Sequence, residues 1–177
     1  KELEWIPTGR PVLDFTIDKE NGLLFAIETD WDADQFAPLY FTIVPLEPGL
    51  SNELFETDPL LIGYVAIEFA PQSRNLLFLV GPPELGVVFT LNTETFEGGE
   101  LQRFDPDTTI LAEMAIDPET DEWYRAEVGT VGNRFYKGPL DNINQQESLA
   151  EDIFFNPLAT QIAIDPERDF VYFTESD

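Results

Sequence analysis

Carboxylates are the side chains in this sequence whose number and spacing suggest chemistry. Asp30, Asp32 and Asp34 alternate through Asp30-Trp31-Asp32-Ala33-Asp34. Alternate carboxylates at the head of a loop converge on a hard, oxygen-preferring cation, so this segment is a candidate calcium site. The helix-flanked calcium loop also asks for Gly at its sixth position and Glu at its twelfth, where Gln35 and Phe41 stand. The competing expectation is therefore a solvated acidic loop between strands. Glu28, Glu127 and Glu175 form a second set, each three residues after an aromatic. Such acids either accept backbone N–H groups between sheets or face a central channel, where a carboxylate ring could hold a cation or work as an acid/base pair.

The missing residue types exclude much else. With neither Cys nor His among 177 residues, there is no disulfide framework, thiolate zinc site, cysteine nucleophile, Ser-His-Asp triad or imidazole ligand. Segments 82–86 and 96–99 read as turns and carry no lysine that could serve a phosphate loop. Nine Lys and Arg against 35 Asp and Glu leave a net charge of −26. That charge disfavours nucleic acid and anionic membrane surfaces, and favours cations or basic partner surfaces. No apolar run approaches the roughly 18 residues of a membrane-spanning helix. A hydrophobic content of 43%, with 15 Phe, 5 Tyr and 3 Trp, supports a folded core in spite of the charge.

The elements that must position these acids follow from a repeat. Helical periodicity is nearly absent, and short alternating runs are punctuated by Pro, Gly and Asn. Ala115-Ile116-Asp117-Pro118-Glu119 and Ala163-Ile164-Asp165-Pro166-Glu167 are copies, with Tyr124 and Tyr172 each seven residues after the Asp. Ile17-Asp18 reaches Phe25 at the same distance, and Phe69-Ala70-Pro71 is a degenerate copy in which Ala70 replaces the Asp. The four positions 18, 70, 117 and 165 are 52, 47 and 48 residues apart. Phe41-Thr42, Phe89-Thr90 and Tyr136-Lys137 repeat at 48 and 47. A strand-only repeat of this length predicts an all-β propeller, each blade a four-stranded antiparallel sheet. In each blade a small apolar strand a meets the Asp-Pro turn, where Asp bonds the backbone ahead and Pro fixes φ. Strand b follows, as in Trp123–Glu127, then strand c, as in Arg134–Lys137, and strand d, as in Leu101–Phe104.

Counted in these units, residues 1–6 form an orphan outer strand, and 11–58, 59–107 and 108–155 form three full blades. Residues 161–177 supply the first two strands of a further blade. Such a domain is expected to belong to a larger ring, or to have its open edge covered by another polypeptide segment or chain. Trp5 on the orphan strand is a candidate anchor against whatever completes that blade. Trp31, also outside the aromatic register, is a second candidate contact. Phe25, Phe78, Trp123, Tyr124, Tyr172 and Phe173 are expected in the core between blades.

Val171-Tyr172-Phe173-Thr174-Glu175-Ser176, after Ile164-Asp165-Pro166, resembles the YWTD repeat of low-density-lipoprotein-receptor class B propellers, with Phe173 at the Trp and Glu175 at the Asp. Tyr124-Arg125-Ala126-Glu127, followed by Asn133-Arg134-Phe135-Tyr136 and Pro139-Leu140-Asp141, is similar to the same repeat and its Leu-Asp-Gly turn. The resemblance implies a six-bladed, extracellular, non-enzymatic ligand-binding domain. The function expected is thus protein or ligand binding through loops and faces. The alternatives are a carboxylate- and divalent-metal-dependent hydrolase of the lactonase type, or an assembly subunit docking through open blade edges.

Overall fold

A computed structural model of the protein describes residues 10–29, 36–37, 39–46, 53–56, 60–61, 64–81, 86–104, 109–129, 132–142, 145–151, 161–168 and 170–174. Antiparallel strands carry nearly all of the architecture; a 3-10 turn at Pro166–Arg168 is the one helical element among the described residues. The first sheet contains β1 (Val12–Asp18) and β2 (Leu23–Thr29). After β3 (Phe36–Ala37) it resumes with β4 (Leu39–Pro45) and β5 (Glu53–Glu56), in the order β1-β2-β4-β5. β3 pairs instead with β6 (Leu60–Leu61) as a small separate ladder. The second sheet is β7 (Tyr64–Ala70), β8 (Asn75–Gly81), β9 (Val87–Asn92) and β10 (Gly98–Arg103). β11 (Thr109–Ile116), β12 (Glu122–Gly129), β13 (Gly132–Pro139) and β14 (Glu147–Glu151) make the third. A hairpin of β15 (Ile162–Asp165) and β16 (Phe170–Phe173) follows.

Each full sheet is a meander, so pairing is local along the chain, and the first strands of successive sheets lie side by side: β1 against β7, β7 against β11, and β11 against β15. Apolar residues at alternate positions face the neighbouring sheet, and the cores lie at the three junctions. Phe25 and Ile27 of the first sheet pack with Ile67, Phe69 and Leu76 of the second, with Phe25 and Phe69 rings 5.7 Å apart. Leu77, Leu79 and Val88 meet Met114, Ile116 and Trp123. Tyr124, Ala126 and Phe135 meet Ile162, Ile164 and Val171 of the hairpin. Of the aromatics expected in the core, Phe25, Trp123 and Tyr124 are buried and Phe78 is half-buried. Tyr172 and Phe173 depart from expectation and are exposed. Phe173 contacts Phe135 across the last junction, but no described strand pairs beyond β16.

The turns between first and second strands show why Asp stands there. Asp18 Oδ1 accepts the N–H groups of Glu20 and Asn21, and Asp117 Oδ1 that of Glu119. Gly22, at φ 63°, closes the first of these turns in a conformation that side chains resist. The second sheet has Ala70 at this position and borrows from both neighbours. Asp121 of the third sheet accepts the N–H groups of Gln72 and Ser73 at 3.1 and 2.5 Å. Arg74 reaches back to Asp18 of the first sheet at 2.5 Å. Burial by itself would raise the Asp18 pKa, but the hydrogen bonds from Arg74 and Asn21 outweigh it and the net shift is downward.

Candidate functional site

The first strands of the sheets bring three carboxylates to one cleft. Asp14 on β1, Glu68 on β7 and Glu113 on β11 line a cavity of about 370 Å³, which the hairpin completes with Gln161, Tyr172 and Phe173 among others. Two of the three acids are placed by the same irregularity. β1 carries a bulge between Val12 and Asp14, and β11 carries one between Leu111 and Glu113. Both lie six to four residues before the turn Asp. A bulge sets two residues opposite one and re-aims the side chain that follows. β7 pairs with β8 without a bulge, and its acid stands two residues nearer the turn.

Burial and mutual repulsion shape the electrostatics of the cleft. Burial pushes the Glu68 carboxyl up to about 8, helped by the negative charges of Asp14 and Glu113. Burial also raises Asp14, against the opposing effect of N–H groups donated to it by Ile67 and Phe15 at 2.9 and 2.8 Å. The Ile67 bond crosses from the second sheet to the first, so Asp14 both lines the cleft and ties a junction. At neutral pH Glu68 is a proton-bearing acid beside two carboxylates, a setting that favours an approaching cation. The carboxylates line the cleft without meeting at one point; among the described residues no group of three His, Cys, Asp or Glu could hold a metal ion. A second cavity of about 360 Å³ also reaches Glu68, bordered by Asp18, Lys19 and Glu20 from the first turn.

The acids singled out on second strands behave differently. Glu28 is fully buried within β2. Glu127 receives the Arg125 guanidinium at 2.5 Å, and neither residue lines the cleft. Arg125, missed in the sequence, is itself buried between Trp123 and Tyr136, 4.6 and 5.0 Å from their ring centres. It also bonds Gln146. Planarity and a fixed positive charge suit it to that slot, so Glu127 is a structural partner rather than a cleft acid. Asp30, Asp32, Asp34, Glu175, Trp5 and Trp31 lie outside the described residues. Part of the cleft lining does carry a sequence signal: Asp14, Glu113 and Gln161 each stand four residues before a turn Asp.

No protein-family model and no curated protein sequence matches the chain. Solved structures do. A structure of the nidogen/laminin complex superposes with a TM-score of 0.59 at 10% identity, over 94% of this chain and 65% of that one. The β-propeller domain of the trilobed protease from Pyrococcus furiosus, described as having an open velcro topology, gives 0.55 at 10% identity over 88% and 46%. A structure from a study of two prolyl endopeptidases gives 0.60 at 10% identity over 93% and 27%. The fold defined by these likenesses is that of a β-propeller. The chain spans less than two thirds of the length of each of these structures.

Proposed function

We propose that the protein is a non-enzymatic binding propeller that engages a protein partner through its faces, with the cleft at the first strands receiving a basic, partly apolar segment. The observation that carries this reading is the composition of the cleft: Asp14, Glu113 and the proton-bearing Glu68 line it together with Tyr172 and Phe173. Lys and Arg side chains combine charge with an apolar stem and fit such a wall. The three sheets are read as full blades and the hairpin as half of another. Repeat spacings of 47 to 52 residues and partial coverage of longer neighbours favour a larger ring, six-bladed by resemblance to YWTD propellers.

Calorimetric titration with decalysine at physiological salt tests the reading. One site per chain is expected, weakened about tenfold in the double variant Glu68→Gln/Glu113→Gln. Binding that is unchanged in that variant overturns the assignment of the cleft. Lactone or ester hydrolysis that is abolished both by a chelator and by the same variant would establish the hydrolase instead.

A further inference from the structure

The turn between β1 and β2 contains Asn21-Gly22, the one Asn-Gly pair in the sequence. Asparagine is a chemically labile residue, and a following glycine has no side chain to shield the main-chain nitrogen that can attack it. The other repeats avoid the pair: at the same distances from the turn position stand Ser73-Arg74 and Thr120-Asp121. The turn shape itself is common to all three, with Gly22, Arg74 and Asp121 at φ 63°, 60° and 56°. Asn21 is exposed, and a β-carbon placed on Gly22 would meet nothing within 4 Å beyond its chain neighbours. Asn21 is also tied to the first junction. Its Nδ2 donates to Asp18 Oδ2 at 2.9 Å, and its backbone N–H donates to Asp18 Oδ1 at 3.2 Å. Asp18 Oδ2 is the same oxygen that receives Arg74 of the second sheet.

We propose that Asn21-Gly22 is a site of spontaneous deamidation, and that its conversion weakens the Asp18–Arg74 tie between the first and second sheets. The Gly22 nitrogen gives its proton to solvent base and bonds to Asn21 Cγ; the Cγ–Nδ2 bond breaks and the amide leaves as ammonia. Water then opens the five-membered imide at either carbonyl. Entry at the side-chain carbonyl gives aspartate, and entry at the main-chain carbonyl gives isoaspartate. Either product replaces the amide donor by a carboxylate in the same turn, where it competes with Asp18 for Arg74. Isoaspartate also adds one atom to the main chain ahead of Gly22, whose carbonyl receives the Leu46 N–H at 2.7 Å. Swinging the Asn21 side chain into line breaks its exposed bond to Asp18, which slows ring closure by up to about tenfold relative to an unstructured Asn-Gly peptide. This chemistry is independent of what the cleft binds.

Peptide mapping by mass spectrometry follows the folded protein through several weeks at mildly alkaline pH and physiological temperature. Asn21 is expected to convert first among the asparagines, with isoaspartate detected by enzymatic methylation of its free carboxyl. The aged protein melts about 2–4 °C lower, and so does the freshly made Asn21→Asp variant. Asn21→Thr, which takes the residue of the third repeat, keeps its melting point through the same treatment. In an Asp18→Asn background the Asn21→Asp shift shrinks to under about 1 °C, because the competing carboxylate is gone. Asn21 left intact over that period overturns the site. Conversion that leaves the melting point unchanged, or an equal Asn21→Asp shift in both backgrounds, overturns its coupling to the Asp18–Arg74 tie.

Discussion

Replacing Glu68 by Gln removes one of the three carboxyl groups that line the cleft. Burial, reinforced by Asp14 and Glu113, raises the Glu68 pKa from 4.5 to about 8. Between these values the folded protein holds a proton that the unfolded chain has released. Stability is therefore greatest below the lower value and falls as pH rises through the upper one. At about 1.4 kcal/mol per unit the interval is worth on the order of 5 kcal/mol. Water reaching an open cleft reduces this to roughly 2–4 kcal/mol between about pH 5 and pH 8.5. Gln has the shape and donor capacity of protonated Glu, so at the acid end the two proteins agree to within about 0.5 kcal/mol. At the alkaline end the variant is more stable by about 2–4 kcal/mol, roughly 5–15 °C in Tm. Urea unfolding followed by far-UV circular dichroism, across this range at fixed ionic strength, gives both curves. General repulsion from the acidic surface acts on both proteins, so their difference belongs to Glu68. Parallel curves, or a variant less stable at the alkaline end, would refute the reasoning.

Two further outcomes concern the turns. Asp18→Asn leaves Arg74 facing a neutral partner and costs about 2–3 kcal/mol at neutral pH. Because the Asp18 pKa is lowered on folding, its contribution is present above the unfolded value and is lost as pH falls through the folded one. Denaturation midpoints of wild type and variant should accordingly converge in acid. Asp121→Ala strands the N–H groups of Gln72 and Ser73 and leaves at φ 56° a residue without the short polar side chain that favours that region, costing about 2–3 kcal/mol. Asp121→Asn keeps one acceptor and tolerates the backbone, so thermal melts should show it losing less than half as much.

The strands and the turn that joins them were legible because both are local. Ala115-Ile116-Asp117-Pro118 carries its own turn chemistry, and the copies at Asp18 and Asp165 repeat it. Burial of Phe25, Trp123 and Tyr124 followed from the same register. What stayed hidden depends on residues distant in sequence. Asp121 substitutes for the acid missing at Ala70 across 51 positions. Arg125 explains Glu127 only once Trp123 and Tyr136 flank it. The cleft acids do not stand three residues after an aromatic, as Glu28, Glu127 and Glu175 do, and lie on the first strands instead. The bulges that aim Asp14 and Glu113, and their absence from β7, shift the third acid out of register. The pairing of β3 with β6 had no sequence signal either, since two-residue ladders are below the length at which alternation can be read.

The turn at Ala70 has a consequence for how the chain folds. In a solenoid each repeat brings its own internal stability and the interfaces add to it. Here the middle repeat lacks the acceptor for its turn amides, which a later repeat supplies, and its arginine is shared between Glu94 of its own repeat and Asp18 of an earlier one. Its turn can settle only after both flanks have formed. The three repeats are thereby bound into one cooperative unit, and native-state hydrogen exchange at Gln72 and Ser73 should report opening of the whole arc rather than fraying of one hairpin.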